Sequence, residues 1–281
     1  MSAAQARAFL ERHGLAAHKD RGQNFLHDEA VARRLVALAG VRPSEGVLEI
    51  GTGLGSLTRA LAERARRVET VEVDAGLVRA LAVEGLPPNV RLHHADALEI
   101  DLAALLAGLG PGPRIVANLP YSVATPLLRR FLDLGGAAGV AVMVQREVAA
   151  RLRAAPGTRD YGSLSVLFAW GMSLGEAIDL PPSCFHPAPR VTSTFLCMSP
   201  RSGVLTPGEL PVLEGVVRAG FAHRRKTLVN SLARAADIDA DQATAGLREI
   251  GLDARVRAER ISPERWLALS RWLVARRNQK A

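Results

Sequence analysis

Apolar side chains fall along this chain in two rhythms. Between residues 47 and 198, seven short segments are rich in β-branched and apolar residues: VLEI, VETVEV, VRLHH, RIVAN, GVAVMV, EAIDL and VTSTFLCM. Stretches with helical apolar spacing, as in 56–64, 75–84 and 123–134, separate the first five. Alternation of this kind predicts right-handed crossovers and a parallel sheet with helices on both faces. The last two strands follow a helix-like LSVLFAWGM and are joined by PPSCFHPAPR. That link is too short for a helical crossover, so an antiparallel pair at one edge is expected.

Near 199–209 the run SPRSGVLTPGE brings Ser, Pro and Gly in quick succession, and strand patterning does not return. Helical segments follow: LPVLEGVVRAGFAHRRKTLVNSL, QATAGLREIGL and SPERWLALSRWLVARR. Val212, Val216, Val217 and Phe221 recur on one helical face, and SPERW offers a Ser cap followed by Pro at the first helical position. The expected organisation is an α/β domain over 1–200, with a basic arm at 1–40, and a smaller all-α domain over 201–281.

Composition adds limits. At 281 residues, 48% hydrophobic and 23% charged, the chain is globular with ample core. No apolar run is long enough to cross a bilayer and the start MSAAQARAFLERHG has no signal-peptide core, so a cytoplasmic protein is expected. Cys184 and Cys197 form no CxxC pair and the seven histidines lack ligand spacing, so no metal is expected. The net charge of +8 is unevenly placed. Residues 1–40 carry six basic and four acidic side chains, 41–200 fifteen of each, and 201–281 fifteen basic against nine acidic. A neutral body with basic ends suits a polyanionic partner.

The chemistry concentrates at strand ends. VLEIGTGLGSLTRAL (47–61) is a strand, a glycine turn and a helix start, with Gly51, Gly53 and Gly55 in GxGxG spacing. Ser56 stands where a dinucleotide fingerprint needs its third glycine, which counts against a dehydrogenase, and no Lys-Ser/Thr follows to make a P-loop. Glu72 lies 21 residues after Gly51, near the end of the second strand, where a carboxylate accepts from a ribose diol. Asp96 follows the third strand and can accept from an adenine amino group. Glycine turn, ribose acid and adenine acid, in that order and without a phosphate cradle, point to S-adenosylmethionine.

The fourth strand ends in Asn118-Leu119-Pro120-Tyr121. An exocyclic amino group on a base is a poor nucleophile, because its lone pair is delocalised into the ring. The Asn118 side-chain oxygen and the Leu119 carbonyl can take its hydrogens and aim that lone pair. Pro120 stiffens the loop and Tyr121 offers a ring for the purine.

NLPY (118–121), with GQNFLHD (22–28), PGTRDYGSLSV (156–166), FHPAPRVTS (185–193) and GFAHRRKTLVNSL (220–232), resembles the KsgA/RsmA-type small-subunit rRNA adenine dimethyltransferases over almost the whole chain. The resemblance implies a Rossmann-like, seven-stranded class I S-adenosylmethionine-dependent methyltransferase fold with a helical, RNA-binding C-terminal domain. It implies dimethylation of N6 on two adjacent adenosines near the 3′ end of 16S rRNA, in an assembling small subunit; separately, a monomer is expected. It implies that Asn24 and Leu26 lie over the methionine end of the cofactor, beside Gly51, Gly53, Glu72, Asp96 and Asn118. Phe185 is then the second aromatic at the target base, opposite Tyr121, although a core phenylalanine is nearly as good a reading of that position. Arg224, Arg225 and Lys226, with Arg151, Arg153, Arg159, Lys19 and Arg21, are candidates for phosphate contacts. Three alternatives stay open: a 23S rRNA or DNA adenine methyltransferase, a non-catalytic assembly factor, and, weakest, a nicotinamide-dependent oxidoreductase.

Overall fold

The computed structural model describes residues 1–18, 22–201, 203, 205–206, 208–223, 226–235 and 238–280. Nine strands occur among them: β1 (Phe25–Leu26), β2 (Gly46–Ile50), β3 (Arg67–Glu72), β4 (Val90–His94), β5 (Arg114–Asn118), β6 (Gly139–Gln145), β7 (Met172–Leu180), β8 (Phe185–His186) and β9 (Ser193–Pro200). Seven make one sheet in the order β4-β3-β2-β5-β6-β9-β7, and β1 pairs with β8 separately. The pairs β2–β3, β3–β4, β2–β5 and β5–β6 are parallel, while β9 runs antiparallel to β6. All seven expected strands are present, and the last two are neighbours at one edge. β7 begins four residues before EAIDL, at Met172.

Continuous apolar runs place β2, β5 and β6 at the centre. Every residue of β2 is buried, as are Ile115–Ala117 and Val140–Val144, because helices cover both faces of a parallel sheet. Strand order reverses between β2 and β5, which opens a crevice at their carboxyl ends.

The basic arm expected at 1–40 contains two helices, Ala3–Arg12 and Glu29–Leu38. Ser2 and Gln5 form a capping box on the first, and the Asp28 carboxylate caps the second. The first helix buries Ala6, Phe9 and Leu10 in a cluster with Phe25, Leu54 and Leu81.

The chain divides into two compact units, Met1–Ala149 with Leu174–Pro200, and Ala150–Ser173 with Arg201–Ala281. The sequence suggests one break near 201, whereas the helical unit also takes Ala150–Ser173. Its centre explains why. Trp266 is fully buried and stacks on Phe221 at 5.5 Å between ring centroids, and Tyr161 meets Phe221 edge-on at 6.1 Å. The Tyr161 hydroxyl donates to the Ile261 carbonyl at 2.7 Å, and Trp170 Nε1 to the Pro263 carbonyl at 2.9 Å. Gly220 is needed here, since a Cβ would overlap the Trp266 ring. The single helix suggested by LPVLEGVVRAGFAHRRKTLVNSL is two, Glu209–Phe221 and Leu228–Ala235.

Candidate active site

The glycine turn closes against its neighbours. Gly51, Gly53 and Gly55 all have positive φ, at 83°, 56° and 81°. A Cβ on Gly51 would sit 3.2 Å from the Asn118 carbonyl oxygen, and one on Gly53 would sit 3.1 Å from the Phe25 ring. Side chains here would press on the loop after β5 and on the Phe25 ring, and their backbone would be strained. Above it lies a cavity of about 340 Å³ within the first unit. Gly51, Gly53, Glu72, Asp96 and Asn24 line it, together with the whole of Asn118–Tyr121. Residues from five separate stretches of sequence therefore converge where the strand order reverses.

Glu72 ends β3 and is 6% exposed. Its two carboxylate oxygens accept from the Gly53 N–H at 2.9 Å and the Asp74 N–H at 3.0 Å. Burial raises its pKa above the usual carboxylate range, and these backbone bonds oppose the rise. The acid is thus tied to the glycine turn, with lone pairs left for a ligand. Asp96 is exposed and accepts from the Leu98 N–H at 2.7 Å. Arg130 holds the loop after Asp96, donating to the carbonyls of Ala97 at 2.6 Å and of Ile100.

Asn118 is oriented from across the cavity. Its Nδ2 donates to the Asn24 carbonyl at 3.2 Å, so Oδ1 is the amide's remaining acceptor. Asn24 is held in turn by its own side chain, whose Nδ2 donates to the Gly22 carbonyl at 3.1 Å. Gly22 has φ 64°, and a Cβ there would lie 3.1 Å from the Tyr121 nitrogen. The segment before β1 is in this way fitted onto the loop after β5. Leu119 donates its N–H to the Met143 carbonyl at 3.2 Å and buries its side chain, anchoring the loop to β6.

Two expected site residues lie elsewhere. Leu26 and Phe185 are opposed across the β1–β8 pair and are buried in one core cluster with Met143 and Phe195. Neither lines the cavity. Alternation along β1 explains it: Leu26 turns into the core while Phe25 turns to Gly53. Phe25 and Gln23 are cavity residues that the sequence reading missed, although both stand inside GQNFLHD. Lys226, Arg151, Arg153 and Arg159 belong to the helical unit and are exposed. Lys19, Arg21, Arg224 and Arg225 lie outside the described residues.

One further carboxylate sits beneath the glycine turn. Glu49 on β2 is fully buried, and its Oε2 accepts from Thr58 Oγ1 and Thr70 Oγ1, both at 2.7 Å. Its Oε1 is buried without a partner. Burial pushes its pKa up to about 8, with the two threonine hydroxyls opposing and the Glu72 charge adding to the rise. A neutral acid below the turn is the consequence near neutral pH.

The sequence pattern of ribosomal RNA adenine dimethylases matches residues 14–275. The chain belongs to that family. It is 37% identical over 262 residues to the ribosomal RNA small subunit methyltransferase A of Aromatoleum aromaticum, a match covering 92% of this chain and 95% of the relative. It is 41% identical over 279 residues to the protein of that name from Anaeromyxobacter sp. strain K, covering 95% and 97%. Among solved structures, a dimethyladenosine transferase from Plasmodium falciparum shares the fold with a TM-score of 0.72 at 21% identity, covering 91% of this chain and 98% of that one. The 23S rRNA methyltransferase ErmE gives 0.62 at 26% identity, covering 89% and 100%. Family membership and fold together make the seven-stranded sheet that of a class I methyltransferase. No helix among the described residues is long and apolar enough to cross a membrane.

Proposed function

We propose that this protein is an S-adenosylmethionine-dependent enzyme that dimethylates N6 of two adjacent adenosines near the 3′ end of small-subunit rRNA. The observation that carries the reading is the Asn118 amide. With Nδ2 engaged by the Asn24 carbonyl, Oδ1 is left to accept a hydrogen from an amino group entering the cavity. The donor set suits the cofactor. The Gly51–Gly53 turn has no side chain to fill its cradle, Glu72 can accept from a ribose diol, and Asp96 from an adenine amino group. When bound, S-adenosylmethionine supplies an electrophilic methyl group on a sulfonium.

The chain's own residues then do the aligning. Asn118 Oδ1, with the Leu119 carbonyl, takes the hydrogens of the target nitrogen and turns its lone pair out of conjugation. Pro120 limits the loop's freedom, and the Tyr121 ring faces the purine. Dimethylation requires that one acceptor still hold the nitrogen after its first hydrogen has gone. Lys226, Arg151, Arg153 and Arg159 supply phosphate contacts, and the RNA is met as an assembling small subunit. The enzyme acts in the cytoplasm as a monomer.

The test is direct. Small and large ribosomal subunits lacking the modification are incubated with the protein and methyl-labelled cofactor, and the RNA is digested to nucleosides. Label is expected as N6,N6-dimethyladenosine in small-subunit RNA; label confined to large-subunit RNA, or none at all, rejects the proposal. A second expectation concerns Glu72. Glu72→Gln keeps the size but gives up one acceptor oxygen, and it is expected to raise the cofactor Kd by about 10–100-fold, the range for a lost bond to a charged group. Calorimetric titration with the cofactor alone measures it, and an unchanged Kd removes Glu72 from the cofactor site.

A further inference from the structure

The ring of Tyr121 is fastened to a residue far along the chain. Its hydroxyl lies 2.7 Å from Ser193 Oγ. Ser193 is completely buried and does not line the cavity. It opens β9 opposite Gln145 in the antiparallel ladder with β6, and the adjoining Arg146 N–H donates to the Thr192 carbonyl at 3.0 Å. The serine is therefore fixed by the backbone of two strands, independently of the loop that carries Tyr121.

The geometry of a tyrosine makes this anchor selective. Its hydroxyl lies on the axis about which the ring spins. A bond at that end fixes the tilt of the axis and leaves the ring free to turn until its face matches a base plane. Burial raises the Tyr121 phenol pKa above its ordinary value, so the hydroxyl stays protonated across the working range and the bond persists.

We infer that Ser193 is a positioning residue for the target base: through the Tyr121 hydroxyl it sets the tilt of the ring on which the purine stacks. This rests on the function proposed above, in which Tyr121 faces the purine. Ser193 touches neither cofactor nor base and acts only through the tyrosine.

A double-mutant cycle tests it, with unmodified small subunits as substrate and cofactor affinity measured in parallel. Ser193→Ala and Tyr121→Phe are each expected to lower kcat/KM for the subunit by about tenfold, the equivalent of one hydroxyl–hydroxyl bond. The double variant should lose no more than either single one, and the cofactor Kd should hold in all three. Thr194→Val removes the neighbouring hydroxyl on β9, which donates to the Asp179 carboxylate on β7 at 2.7 Å, and is expected to keep the wild-type rate. Additive losses, an unaffected Ser193→Ala, a cofactor Kd that rises with the loss, or a Thr194→Val as slow as Ser193→Ala each overturn the inference. Should Ser193→Ala fail to fold, Tyr121→Phe breaks the same bond from the half-buried side, and a wild-type rate in it overturns the inference alone. No transfer by the unaltered protein removes the functional reading and this inference with it.

Discussion

Asn118→Ala is expected to lower kcat for methyl transfer by about 10²–10³-fold, the range seen when a preorganised hydrogen-bonding group is removed from a reacting centre. The cofactor Kd should shift by less than about tenfold, since the glycine turn, Glu72 and Asp96 remain. One amide atom of Asn118 is already committed. Because Nδ2 donates to the Asn24 carbonyl, the side chain cannot flip without losing that bond, and Oδ1 is held toward the cavity. Asn118→Asp separates the two halves of this account. It keeps an acceptor oxygen but places a carboxylate where an N–H met the Asn24 carbonyl at 3.2 Å, so the side chain swings away and the rate falls as well. Single-turnover transfer to unmodified small subunits, beside equilibrium dialysis of the cofactor, measures both. Wild-type kcat in Asn118→Ala would show that the amide does not hold the nucleophile.

The second large effect is on stability. Glu49 titrates near 8 in the folded protein against an ordinary value of 4.5. Between those two values the folded state holds a proton that the unfolded state has released. The stabilisation from a raised pKa is complete below the ordinary value and is lost as pH climbs through the folded one. Glu49 should therefore cost the protein about 1.4 kcal/mol per pH unit over that window. Glu49→Gln imitates the neutral acid: its oxygen can accept from Thr58 and Thr70, and its amide takes the place of the unpartnered oxygen. Urea unfolding of both proteins at several pH values between 5 and 8 should show the wild type losing ground steadily to the variant. A difference that stays level across the range would mean that Glu49 does not carry its proton in the folded state.

How much of this was visible in the sequence follows from how far each feature depends on distant partners. The central strands β2, β5 and β6 were legible because a strand covered on both faces is mostly apolar, and the ends of the parallel strands open on the crevice. That Gly51, Glu72, Asp96 and Asn118 meet at one cavity needed no more than that. Leu26 and Phe185 were not legible. Both sit in two-residue strands, too short to display alternation, and which side faces the core is decided by a partner strand far along the chain, Leu26 against Phe185 and Phe25 against His186. The helices at Ala3–Arg12 and Glu29–Leu38 did leave a local trace in the caps at Ser2 and Asp28, which charge counting obscured. The break after Phe221 left little, because HRRKT reads as the continuation of a helix.

The split composition of the helical unit bears on how the protein is made. Tyr161 emerges from a ribosome about 100 residues before Ile261, whose carbonyl receives its hydroxyl. At translation speeds of roughly 5–20 residues per second, that interval lasts on the order of 5–20 s. For that time the nascent stretch from Ala150 to Ser173 offers a bare tyrosine and an apolar helix to whatever passes. A shortened gene ending at Pro200 would make the exposure permanent.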